Sequence, residues 1–147
     1  MIIEAIYALF ATLGFGVIFN IRGKKLIFAA IGGGMGWFFY KLGLLFGFSD
    51  ITSLFLGAIA LSSYGEILAR IFKTPVTTFV ICAIIPLVPG SGIYFSLLSS
   101  IQGDVDKALE LGLSTLLSAG SIAIGVMLTS TITRFINHLI SKNKKLV

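Results

Sequence analysis

Charge is what this chain has least of. Only 12% of its 147 residues are Asp, Glu, Lys or Arg, while 56% are hydrophobic. Soluble domains carry about 25% charged residues. The mean hydropathy of +1.04 therefore excludes a soluble fold and makes the bilayer the solvent. Cysteine is nearly absent: Cys82 stands alone in an apolar run, which excludes an internal disulfide and reads as a small buried hydrophobe. Histidine is limited to His138, so neither a metal site nor a His-based triad can be assembled. No H-E-x-x-H, phosphate-cradling glycine loop or C-x-x-C occurs. The expectation is a chain with no catalytic residues, no metal and no cofactor. A basic leader is missing too: the first segment carries Glu4 where a cleavable signal would carry cations.

What is present is a series of apolar runs long enough for membrane helices, which need about 20 residues each. They predict an all-α integral membrane protein, a single transmembrane domain over residues 1–147. Five spans are expected at about 2–19, 26–46, 51–69, 76–101 and 108–132. The fourth is broken by Pro and Gly at 86–92, and a separate amphipathic helix fills 133–147. One broken helix, or a span followed by a short interfacial helix, would each satisfy residues 76–101. The net charge of +5 is dispersed over short loops, which argues for membrane topology and against nucleic acid. Arg22, Lys24, Lys25, Arg70, Lys73, Arg134, Lys142, Lys144 and Lys145 all fall on one side of a five-span chain. Glu4, Asp50, Asp104, Asp106 and Glu110 fall on the other, with Lys41 and Lys107. Basic loops stay in the cytoplasm, so the N-terminus is expected outside and the C-terminus inside.

Small residues at spacing four allow close helix approach. Gly32/Gly36, Gly43/Gly47 and Ser121/Gly125 form such faces, for packing within the chain or against a second chain. Asp104 is placed to cap the last span, and Asp106 favours its positive end. In the tail, Ile132, Phe135, Ile136, Leu139 and Ile140 share one face, and Arg134, Asn137, His138 and Lys142 the other. Such a basic amphipathic segment lies on anionic lipid.

Two features carry the functional reading. Glu66 and Arg70 sit at i,i+4 near the end of span three and share one helix face. They are either an interfacial ion pair or a carboxylate facing a polar cavity, since ionisable groups in spans usually serve function. The second feature is Pro86-Leu-Val-Pro89-Gly90-Ser91-Gly92, with Tyr94 just beyond. Its prolines remove N–H donors and its glycines permit unusual backbone. Broken helices in transporters aim freed backbone groups at solute or ion. A simple kink at the membrane edge is the alternative.

The run Gly65-Glu-Ile-Leu-Ala-Arg-Ile-Phe-Lys-Thr-Pro-Val76, followed by Ile85-Pro-Leu-Val-Pro-Gly-Ser-Gly-Ile-Tyr94, resembles the threonine/serine exporter family. More narrowly, it is similar to the small subunit, which corresponds to the C-terminal membrane half of the fused exporters. Phe19-Asn-Ile-Arg-Gly23 and the glycine-rich second span with Trp37 fit as well, so the resemblance covers roughly residues 8–132. It implies an inner-membrane exporter component that works with a larger membrane subunit. The implied solutes are small and polar: threonine and serine, or dicarboxylates in some members. The motif positions it marks are Glu66, Arg70, Pro86, Pro89, Gly90 and Tyr94. A non-transporting structural subunit is the competing reading, and self-association of the chain stays open.

Overall fold

The structure, a computed structural model, describes residues 1–144, the side chains of His138 and of residues 140–144 excepted. Every regular element among them is helical. They are α1 (Ile2–Ile18), α2 (Lys24–Leu45), α3 (Asp50–Ile71), α4 (Thr77–Ile84), α5 (Gly90–Ile101) and α6 (Val105–Lys144). A 3-10 turn, Ile85–Leu87, follows α4 directly. By length and hydropathy α2, α3 and α6 can each cross a membrane, and α4–α5 adds a fourth if the bent pair is one span. The first helix is apolar but holds only 17 residues, about 26 Å of rise against a hydrocarbon core of about 30 Å.

Sequence cues set the ends of these helices. Ser49 caps α3, its Oγ accepting from the Thr52 N–H at 3.3 Å. Asp104 caps α6 as expected, its Oδ1 accepting from the Lys107 N–H at 3.2 Å. Gly47 was expected on a packing face with Gly43, but it lies just past α2 with φ +81°. Only a residue without Cβ takes that backbone cheaply, so Gly47 ends the helix and packs nothing.

Close approach organises the bundle. Gly33 meets Thr12, and Gly16 meets Leu26, which makes α1 and α2 antiparallel. Gly36 lies against Leu61, and Gly43 against Ser53, which does the same for α2 and α3. Val80 of α4 sits over Gly65, and Leu87 over Gly57. Gly125 of α6 touches Ala58 and Phe55, while the Ser121 hydroxyl donates to the Ile51 carbonyl at 2.6 Å, so α6 runs parallel to α3. The packing reading of Gly32/Gly36 and Ser121/Gly125 is thus realised inside one chain. The core is Leu54, Ala58, Leu61, Val80, Ala83, Leu87 and Ile122, with a second cluster of Ala29, Leu68, Ala69, Phe79 and Cys82.

These contacts also sort the charges. The α1–α2 turn with the start of α2, and the end of α3 with the turn after it, share one end of the bundle and carry Arg22, Lys24, Lys25, Arg70 and Lys73. Glu4, Lys41 and Asp50 lie at the other.

The tail differs from expectation. Residues 133–144 are not a separate helix; they continue α6, which is one helix from Val105 to Lys144. No proline or glycine follows Gly125, so no residue there breaks the backbone ladder. Amphipathic patterning changes which face is polar without ending the helix. Of the tail's polar face, Arg134 and Asn137 are exposed, and His138 and Lys142 lie outside the described side chains.

Candidate functional site

Glu66 stands on α3 between Gly65, which abuts Val80, and two buried residues, Leu68 and Ala69. At 9% exposure it is the one charged side chain buried among the described residues. Ser62, one turn earlier on the same face, is fully buried, and its hydroxyl has no hydrogen-bond partner. Arg70 is exposed, and no ion pair within 4 Å joins it to Glu66: among the described residues the only ion-paired carboxylate is Glu4. A guanidinium at the end of a span extends toward water, and a carboxylate one turn deeper stays behind. The spacing gave a shared face, not a contact.

The break lies at Val88–Pro89. Val88 is extended (φ −61°, ψ 128°), and Pro89 (φ −76°, ψ 61°) forms a tight turn in which the Gly90 N–H donates to the Val88 carbonyl at 2.8 Å. The two helical pieces meet at 52°. Pro86 is half-buried and closes a cavity of about 280 Å³ with Glu4, Tyr7, Ala8, Ala11 and Trp37. Gly92 packs on Thr115 of α6. Gly90 and Ser91 are exposed, and Tyr94 is 60% exposed, its ring 5.2 Å from that of Phe95.

The expected residues therefore divide into two places. Leu87 sits at Gly57, whereas Glu66 lies nine residues further along α3, about 13 Å by helical rise. Within this chain the structure does not bring the hydroxyls of Ser91 and Tyr94 to Glu66.

Sequence reasoning missed a polar cluster beside the break. Glu4 accepts from Lys41 Nζ at 2.9 Å and from Trp37 Nε1 at 3.3 Å. Lys41 also lies 5.9 Å from the Trp37 ring centre, and Tyr40 donates to Asp50 at 2.7 Å. A lone acid in one apolar run and a lone base in the next was the available signal.

The chain matches the threonine/serine exporter, ThrE, family over residues 4–132. It belongs to that family. No solved structure matches the chain. The threonine/serine exporter match and the long apolar helices make this a multi-pass membrane protein of the transporter type. The matched region holds Glu66, the whole break and the Glu4–Lys41 pair.

Proposed function

We propose that this chain is one membrane half of an exporter of threonine and serine, completed by a larger partner subunit in the inner membrane. The observation that carries the reading is the α4–α5 break, an interrupted helix inside the region matched to the exporter family. In this reading the chain crosses the membrane five times, α4 and α5 forming one broken span, with the N-terminus outside and the C-terminus inside. The sorting of basic side chains to one end of the bundle supports that orientation. The basic tail rests on anionic lipid of the inner leaflet.

The backbone around Pro86, Pro89, Gly90 and Gly92, with the hydroxyls of Ser91 and Tyr94, contacts the solute from this side. The exposure of Ser91 and Tyr94 supports a site completed by the partner. Glu66 serves as a proton-carrying group, and Ser62 is placed to hydrogen-bond it in one protonation state. Arg70 steers the solute carboxylate at the mouth. A dicarboxylate is the alternative cargo, because the cations gather at one end of the bundle, which this reading makes the entry side.

The test is efflux of preloaded radiolabelled threonine from cells lacking their own exporters. This chain alone, the chain with a larger exporter subunit, and that pair with Glu66→Gln are compared. Efflux from the intact pair only is expected. Failure with threonine but efflux of succinate moves the cargo to dicarboxylates; no efflux of either, with both chains in the membrane, leaves a structural subunit.

A further inference from the structure

The largest cavity described lies at the basic end of the bundle, far from the break. It measures about 750 Å³, within the usual range for small-molecule sites, and is bounded by the α1–α2 turn and the first turn of α4. Arg22 and Lys25 line one side, Thr77 and Thr78 the other. We propose that this cavity is an anion-binding site, taking a carboxylate or phosphate group between Arg22, Lys25 and the two threonine hydroxyls.

Three observations carry the proposal. First, the cations have no counter-charge. No acid lines the cavity, and the ion pairs among the described residues all use Glu4, at the opposite end. Glu66 is buried on α3, and Asp104, Asp106 and Glu110 flank the start of α6. Two converging cations without an acid attract an anion more strongly than either does alone.

Second, Arg22 is held in a useful pose. Its Nε donates to Asn20 Oδ1 at 2.9 Å, which leaves the terminal nitrogens of the guanidinium free as a fork for two oxygens. Asn20 reaches that position from a left-handed backbone, φ 58°, a conformation Asn tolerates better than most residues. Gly23, at φ 64°, lets the chain enter α2 immediately afterwards, and the Ile21 N–H donates back to the Gly16 carbonyl at 2.9 Å.

Third, the facing wall offers donors. Thr78 is half-buried, and α4 starts there without a side-chain cap.

Assigning the site to the cytoplasmic face rests on the orientation proposed above. There the anion is either a solute carboxylate entering for export or the phosphate of an inner-leaflet lipid. The binding chemistry itself is independent of the transport reading.

The experiment uses the full chain purified into phosphatidylcholine nanodiscs. Succinate and inorganic phosphate are titrated as free anions by calorimetry. In a separate arm, phosphatidylglycerol retention is read by native mass spectrometry. Saturable binding in at least one arm is expected. Arg22→Gln with Lys25→Gln should weaken it by about tenfold or more, because both charge-assisted contacts are lost. Arg22→Lys keeps the topology charge but loses the fork, and should weaken binding by about threefold. Succinate or phosphate binding makes the site a solute site; retention of phosphatidylglycerol alone makes it a lipid-headgroup site. No saturable binding in either arm overturns the proposal, as does wild-type binding by the folded Arg22→Lys and double variants. A failed threonine efflux assay would leave these binding results unchanged, so the two readings fail separately.

Discussion

The packed helices α2–α4 and the hairpin of α5 with the first half of α6 are both apolar, yet they are buried to very different degrees. Half of the span window of α3 is buried within the chain, against 17% of that of α6. In α5 the one buried residue is Ser99, while Ile93, Tyr94, Phe95, Leu97 and Ile101 are exposed. The cause is where small residues meet. Glycines of α2 and α3 face each other's helices, so backbones approach and side chains interlock. On α6, close contact with α3 begins at Ser121 against Ile51, in the first turn of α3. Residues 105–120, about 24 Å of helix, precede that point and pack on α5. Hydropathy alone does not distinguish a helix buried by its own chain from one left to lipid or a partner.

The largest effect should come from breaking the compact side. A Cβ on Gly57 would lie 2.7 Å from the Gly36 carbonyl oxygen and 3.2 Å from Tyr40 Cβ. Backbone cannot step aside as a flexible side chain can, so Gly57→Leu should cost about 3 kcal/mol or more. The expected outcome is loss of monodisperse protein in detergent. A melting temperature equal to wild type would show that α2 and α3 are not held as described.

Next in size is a functional loss without a structural one. Glu66→Gln keeps shape and hydrogen-bonding capacity but removes the titratable proton. Efflux per protein should fall by about a hundredfold, the lower range for loss of a proton-transferring group. Membrane abundance should stay within twofold. If abundance falls instead and efflux per molecule holds, Glu66 is a packing residue.

How much of this was legible beforehand follows from what sequence encodes. Proline chemistry is local, and the residues between the 3-10 turn and α5, Val88 and Pro89, fall inside the stretch 86–92. Caps are local too, and Asp104 caps α6. Contacts between helices depend on register and rotation, which one chain's spacing leaves open. Glu66 and Arg70 share a face but not an ion pair, because the depth of each group along the helix decides which reaches water. Glu4 and Lys41 are 37 positions apart in sequence and meet only because α1 and α2 pack antiparallel. The length of α6 was hidden for another reason: polar residues after Ile132 suggested a new element, yet nothing there stops a helix.

The joint between the two regions gives a smaller, sharper test. Ser121 donates to the Ile51 carbonyl across α6 and α3 at 2.6 Å. Ser121→Ala removes one interhelical hydrogen bond, worth about 0.6–1.5 kcal/mol in or out of a membrane. A modest fall in melting temperature is expected, with protease sensitivity rising first in the α5–α6 turn at 102–104. Uniform destabilisation of all helices would mean that the two regions unfold as one.

The smallest effect on the isolated chain should come from Gly120→Leu. Nothing lies within 4 Å of a Cβ at that position, in contrast to Gly57. A leucine there fits α6 freely and even favours the helix, by up to about 1 kcal/mol over glycine. The melting temperature of the chain alone should therefore stay level or rise slightly. The informative readout is co-purification with the larger exporter subunit proposed above. A face covered by that subunit at close backbone approach cannot accept the leucine, and recovery of the pair should drop severalfold while the chain itself stays folded. Unchanged recovery would assign the Gly120 face to lipid, and the partner would then have to be sought along the exposed side of α5, where Ser91 and Tyr94 already face outward.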